Sequence, residues 1–340
     1  MLNEYGDKPY NNTARITAVH KQRYEIEYKG ETCFAKLKTS EYYSPDKCAN
    51  FPTVGDFVEI KEVPGSDHLI IGTCKRKSFF SRRDPSSAGY YDQIVAANFD
   101  YVFILMSLNM DFNIRRLERY LTASWNSNAT PVVILTKADL CEEIDDLLLQ
   151  VQQIAAGVDV ITISSYTGYG LEELDKFMRP DVTIVFLGSS GTGKSTLVNA
   201  LAKKDIMKVS EIREDDSKGR HTTSYRQMIR LDNGVCIIDT PGMRELGIWY
   251  AGEGLSETFS DIQPFLGQCK FTDCRHITEP GCAIKQAIRD GQITQERWDS
   301  YLKLQKEAKY ADDYESAVRE KEAFFRNIAI KNKQFSKKRH

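Results

Sequence analysis

No stretch of this chain reaches 18 consecutive apolar residues, so no transmembrane helix is expected. The N-terminal MLNEYGDK has no apolar leader core, and a cytoplasmic protein without a signal peptide is expected. A cysteine framework of the secreted kind is also missing. Of eight cysteines, Cys33, Cys48, Cys74, Cys141 and Cys236 are scattered, and three crowd between 269 and 282. That pattern suits a reducing compartment plus one metal site better than a set of disulfides. Charge of one sign is lacking too: the formal net charge is −2, which by itself says nothing about nucleic acid. There is no internal repeat and no low-complexity tract.

What is present divides into three parts. From about 11 to 75 run short alternating segments: Ile16–Val19, Tyr24–Tyr28, Thr32–Leu37, Phe57–Ile60 and His68–Gly72. Period-2 alternation with close turns predicts a small antiparallel barrel over 1–76. An OB fold, a barrel often used on RNA, fits, and an SH3-like barrel is the alternative. Residues 76–98 read as a linker, with a loop at Asp84–Gly89. Beyond 99, continuous apolar runs alternate with amphipathic stretches, so 77–248 should hold an α/β domain with a parallel sheet covered on both faces. The remainder, 249–340, should be a metal-binding and helical domain, with charged helical sequence over Ile284–Asn332 whose faces read as solvated. Two basic segments, Lys75–Arg83 and the tail from Lys331 to Arg339, could supply phosphate contacts or simply coat the surface.

The clearest motif is Gly188-Ser189-Ser190-Gly191-Thr192-Gly193-Lys194-Ser195, between the strand-like Val182–Leu187 and the helix-like Thr196–Ala202. Strand, glycine loop and helix is the context of a phosphate-cradling loop. Glycines let backbone N–H groups converge on phosphate oxygens, Lys194 reaches the β and γ phosphates, and the Ser195 hydroxyl ligates Mg²⁺. Thr196 just inside the helix belongs to the same nucleotide-binding set.

Open α/β sheets bind ligands beyond the carboxyl ends of their strands, so the residues after each strand carry the next clues. After Val235–Ile238 comes Asp239-Thr240-Pro241-Gly242. Asp239 there can hold Mg²⁺ through water, and the Gly242 N–H can meet a γ-phosphate. After Val132–Leu135 comes Thr136-Lys137-Ala138-Asp139. A carboxylate at Asp139 can accept from the N1–H and N2–H₂ of guanine, a donor pair that adenine lacks. After Val158–Ile163 come Ser164 and Ser165, whose backbone could donate to guanine O6. Gly219-Arg220-His221-Thr222-Thr223 is a threonine-bearing loop suited to closing on Mg²⁺, with Thr223 as the second magnesium ligand. Thr-Lys-Ala-Asp alone reads equally as a helix start. Four motifs, each at its own strand end, together specify a GTP-binding P-loop protein.

The base-reading motifs precede the phosphate loop, the reverse of the ordinary order, so the domain reads as circularly permuted. With a barrel before it and a cysteine segment after it, the chain resembles the circularly permuted, ribosome small-subunit-dependent GTPases of the RsgA type. It departs from them at Thr136, where the family usually has Asn, and one bridging contact loses its amide donors. By spacing, Cys269-x₄-Cys274-x-His276-x₅-Cys282 is either a tetrahedral zinc site or buried thiols beside a chance histidine. The resemblance, which includes Glu279-Pro280-Gly281-Cys282, implies one structural Zn²⁺.

The resemblance also implies hydrolysis of GTP to GDP with Mg²⁺, stimulated by the small ribosomal subunit, by a monomer that contacts ribosomal RNA during late subunit maturation. Met243 stands where familiar GTPases place a water-orienting Gln, and Met cannot orient water. His221, whose family counterpart is assigned that role, is the expected catalytic residue. Two other readings are a GTP-regulated sensor with little catalysis, which Met243 would suit, and a P-loop ATPase or kinase, which Asp139 argues against.

Overall fold

The structure, a computed structural model, describes residues 12–20, 23–38, 51–83, 92–207, 226–239 and 253–311. Strands β1 (Thr13–Val19), β2 (Tyr24–Tyr28), β3 (Glu31–Leu37), β4 (Phe57–Lys61) and β5 (His68–Thr73) follow the alternation read from the sequence. In β1 every second side chain is buried, and Ala14, Ile16 and Ala18 join Ile26, Val58, Ile60 and Ile70 in the barrel interior. The strands pair in the ring β1-β2-β3-β5-β4-β1, with β3 and β5 parallel and the other pairs antiparallel. This five-stranded closed order is the OB-type Greek-key barrel.

The stretch expected to be a linker is structured. Strands β6 (Phe79–Arg83) and β7 (Asp92–Ala97) form an antiparallel hairpin. Phe80 stacks on Phe99 with ring centres 4.9 Å apart, and Ala96 and Ala97 are buried beside them. Small and basic residues hide this alternation in the sequence. The loop Asp84–Gly89 lies outside the described residues. The neighbouring basic segment is partly spent inside the protein. Arg76 makes a two-pronged bond to fully buried Asp56, at 2.7 Å on each oxygen, and Lys77 pairs with Asp100. Asp56 also accepts from the Thr53 N–H. Asp56→Ala strands a guanidinium whose side chain is only 10% exposed. Losing one partner of such a pair costs about 3–5 kcal/mol. A urea titration should show this as a lower midpoint at unchanged slope.

The α/β part contains β8 (Tyr101–Ser107), α1 (Ile114–Asn126), β9 (Thr130–Thr136), α2 (Ile144–Ile154), β10 (Asp159–Thr162), β11 (Thr183–Leu187), α3 (Lys194–Ala202), β12 (Arg226–Arg230) and β13 (Cys236–Asp239). Strands β10, β9, β8, β11 and β13 are parallel neighbours in that order, so their carboxyl ends open on one side. One face packs on α1 and α2 through Val102, Ile104, Val133, Leu117, Leu121 and Val151. The other packs on α3 and the 3₁₀ turn Leu171–Phe177 through Phe103, Ile134, Leu197, Val198 and Phe177. That segment winds as a 3₁₀ helix. It starts from Gly170 in the left-handed region, and Pro180 follows closely.

The barrel is not a separate bead on this sheet. Strand β12 pairs antiparallel with β13 on one side, and on the other with barrel strand β1 through Ala18 and Val19. Residues Met1–Gly247 form one unit and Ile248–His340 another. The second unit contains α4 (Glu253–Thr258), the cysteine segment, α5 (Ala283–Arg289) and a helix over 295–311. Its core gathers Phe259, Ile262, Ile284, Trp298 and Tyr301. Arg297 grips both Asp261 oxygens and the Thr258 carbonyl. The helical sequence expected from Ile284 is interrupted after Arg289, where α5 ends, Asp290 caps it and Gly291 takes φ +71°. Residues 312–340, with the basic tail, lie outside the described residues. No helix among the described residues is long and apolar enough to cross a membrane.

Candidate active site and metal centre

Strand β11 delivers the chain into the glycine loop at Gly188. A Cβ there would sit 2.7 Å from the Leu105 carbonyl of β8, so only glycine lets the two strand ends close up. Gly193, at φ +88°, turns the chain into α3. The first N–H groups of that helix have no intrahelical partner, which suits an anion at its amino end. The Lys194 ammonium folds back over the loop and donates to the Gly188 carbonyl at 2.8 Å and the Ser189 carbonyl at 2.6 Å. The Thr192 hydroxyl closes the turn on the Ser189 carbonyl at 2.9 Å. Ser190, Gly191, Ser195 and Thr196 complete the loop and first helical turn, with Ser190 and Gly191 exposed.

The base-reading strands reach the same loop. Thr136, the last residue of β9, donates its hydroxyl to the Thr192 carbonyl at 2.8 Å, and both residues are buried. The bridge put in doubt by the absence of an Asn is therefore made by the hydroxyl. Lys137 takes the left-handed conformation at φ +62°, and the Ala138 N–H bonds the Ile163 carbonyl. This ties the ends of β9 and β10 and leaves Asp139 exposed at the rim. The Ser164 hydroxyl donates to Asp139 Oδ1 at 2.5 Å, which orients the carboxylate. The Ser164 N–H is taken by the Tyr169 carbonyl. Ser164 thus engages Asp139 through its side chain, and Ser165 beside it is half-buried. Asp239 ends β13, the strand beside β11. His221, Thr223, Gly242 and Met243 lie outside the described residues.

One residue of this site was passed over in the sequence. Asp111 lies in the loop after β8, and its Oδ2 accepts from the Ser189 hydroxyl. Reading the end of β8 as the ends of β9, β10, β11 and β13 were read would have found it. Ser195 opens α3 next to Lys194, and Asp239 ends the strand beside β11; both are hard oxygen donors of the kind that fits Mg²⁺ with a triphosphate.

In the second unit, Cys269, Cys274, His276 and Cys282 bring one ligand atom each within 4.8 Å of one another. His276 Nδ1 lies 3.4, 3.7 and 3.3 Å from the three sulfurs in that order, and Cys269 Sγ lies 3.9 Å from Cys282 Sγ. A tetrahedral zinc with ordinary bond lengths has sulfur–sulfur edges of about 3.8 Å and sulfur–nitrogen edges of about 3.5 Å. The cluster fits zinc and fills all four positions, as a structural site does. Cys274 is pushed up to about 11 by desolvation, and the adjacent thiols push it the same way. Several thiolates crowd together comfortably only around a cation. Glu279 organises the loop between the ligands. Its carboxylate accepts from the N–H groups of Arg275, Ile277 and Thr278 at 3.1, 2.8 and 2.9 Å. Bonding to its own N–H and to these holds the carboxyl down to about 2. A depressed acid favours the folded loop above its ordinary value of 4.5 and loses that contribution as pH falls from there through about 2. His276 meets Trp298 edge to face at 5.3 Å, which joins the cluster to the core.

Residues 73–249 match the family described as RsgA GTPase. The chain is 46% identical to the small ribosomal subunit biogenesis GTPase RsgA 2 of Listeria monocytogenes serotype 4b (strain F2365), over 87% of this chain and 83% of that one. Among solved structures it is similar to YjeQ from Thermotoga maritima, with a TM-score of 0.65 and 25% identity over 87% of this chain and 98% of that one. YloQ, described as a circularly permuted GTPase, superposes with a TM-score of 0.59 at 24% identity over 90% and 98% of the two chains, and supports the fold.

Proposed function

The chain belongs to the RsgA family of GTPases, and on that premise we propose that this GTP hydrolase acts in small ribosomal subunit biogenesis, binding the subunit and its RNA and turning over GTP faster in its presence. The observation that carries the nucleotide site is the Thr136–Thr192 bond. It locks the base-reading strand to the phosphate loop, so one ligand can engage both. Asp139, oriented by Ser164, reads guanine. Lys194 and the amino end of α3 meet the β and γ phosphates, and Ser195, Thr223 and Asp239 would hold Mg²⁺, which when bound neutralises charge on the phosphate oxygens. A water attacks the γ-phosphorus in line, and the β–γ bridging oxygen leaves on GDP. His221 holds that water. The reading is supported by Met243, which has no polar atom to do so. The four-ligand cluster holds one structural zinc.

The barrel is the surface we assign to ribosomal RNA. OB barrels use the face around strands 2 and 3 for oligonucleotides, and here the Arg23 guanidinium stands 3.8 Å over the ring of Phe34 on β3. The protein would work as a cytoplasmic monomer. The test is GTP turnover of the full chain with purified 30S or 50S subunits at stated salt, because phosphate contacts weaken steeply with salt. Small subunits alone should raise the rate; equal rates with and without them would overturn the reading. His221→Ala should keep GTP affinity while stimulated turnover drops about 100-fold or more. Unchanged turnover would take the role from His221. ATP should fail to displace labelled GTP.

A further inference from the structure

The loop from Ser107 to Asn113 makes a connected set of bonds that ends on the phosphate loop. Asn109 Oδ1 accepts from the Ser107 hydroxyl at 2.8 Å and from the Asp111 N–H at 3.1 Å. Asn113 caps α1 by accepting from the Arg116 N–H at 3.0 Å. The cap fixes the start of the helix so that the Arg116 guanidinium folds back on Asp111. It donates to Asp111 Oδ1 at 2.9 Å and also to the Asp111 carbonyl. The other carboxylate oxygen, Oδ2, takes the hydroxyl proton of Ser189.

A carboxylate is a poor neighbour for a triphosphate. Asp111 is bonded to the second residue of the loop, and the Ser189 carbonyl is itself bonded by the Lys194 ammonium. The acid therefore stands one residue from the cation that serves the β and γ phosphates. Unscreened, its charge opposes GTP more than GDP, because GTP brings the additional γ-phosphate charge. Arg116 holds the carboxylate oxygen that Ser189 does not, and so cancels that charge while leaving the acid free to hold the loop.

We propose that Asp111 and Arg116 form a charge-balanced brace on the phosphate loop that sets the preference of the site for GTP over GDP, with Asp111 as the positioning residue and Arg116 as its neutraliser. This rests on the reading of Gly188–Ser195 as the GTP site. It requires two opposite signs. Arg116→Ala bares the carboxylate and weakens GTP selectively. Asp111→Asn removes the charge, keeps an oxygen acceptor for Ser189, and leaves Arg116 to favour the γ-phosphate.

The experiment is equilibrium binding of GDP and of a non-hydrolysable GTP analogue to the full chain with Mg²⁺. Zinc content and thermal melting check that each variant is folded. Arg116→Ala should raise the Kd of the GTP analogue about fivefold more than that of GDP. The ratio should drift back towards the wild-type value as salt is raised. Asp111→Asn should move the ratio the other way, and the double variant should restore it. A purely structural loop would weaken both nucleotides equally and show no salt effect on the ratio. Equal weakening, or a double variant that keeps the Arg116→Ala ratio, overturns the brace. If the unaltered chain binds neither nucleotide, the site reading falls and takes the brace with it. If it binds both and the ratio never moves, only the brace falls.

Discussion

Asp139→Asn should weaken GTP binding by about 100- to 1,000-fold and admit XTP in its place. The carboxylate offers two acceptors to the N1–H and N2–H₂ of guanine, and a bond to a charged group contributes about 1.5–3 kcal/mol. Ser164 decides which way the substituted amide turns. Its hydroxyl donates to Oδ1 of Asp139, so in Asp139→Asn the amide oxygen stays with Ser164 and the NH₂ faces the base. There it opposes the guanine N2 amine, donor against donor. Xanthine carries a carbonyl at that carbon and accepts instead. Loss of about 3–4 kcal/mol corresponds to the stated fold-change at about 1.4 kcal/mol per decade. Competition of GTP, XTP and ATP against a labelled nucleotide measures it. GTP affinity within about threefold of the unaltered protein, less than 1 kcal/mol, would remove Asp139 from the site.

Stripping zinc should unfold the second unit while the first keeps its nucleotide site. Cys282 is buried at the start of α5, between the cluster and Ile284, and His276 packs on Trp298. Without the ion these contacts face a group of crowded thiols. Structural zinc contributes about 10–16 kcal/mol in small zinc-dependent folds, more than a core of this size can replace. A chelator should lower helical ellipticity and broaden the Trp298 environment, and zinc should restore both. Because ligand thiols must lose protons, zinc affinity should rise with pH through the neutral range. Cys274→Ser should behave as the chelated protein does. Full helicity in zinc-free protein would overturn the structural role.

The barrel, the parallel strands and the strand-end motifs were legible because each rests on local chemistry. Alternating burial marks β1, and continuous apolar runs mark β8, β9 and β11. The cysteine cluster was legible as ligands, though spacing alone left thiols without metal as an alternative. The hairpin of β6 and β7 was not, because its partners include Ser81, Arg82 and two alanines, which carry no strand pattern of their own.

By itself, then, the sequence determined which strand ends carry chemistry-bearing residues, at Gly188–Ser195, Asp139 and Asp239, and which four residues, Cys269, Cys274, His276 and Cys282, could serve as ligands. Glycine freedom, carboxylate acceptors and thiolate softness are properties of single residues and short spacings. Tertiary structure decided how those ends are joined. Thr136 reaches Thr192 across 56 residues and Ser189 reaches Asp111 across 78. Barrel strand β1 lies against β12, far along the chain, through the Ala18–Gln227 and Val19–Arg226 pairs. Each of these contacts is made by ordinary hydroxyls, carboxylates or backbone, which carry no signal until the parallel sheet sets their strand ends side by side.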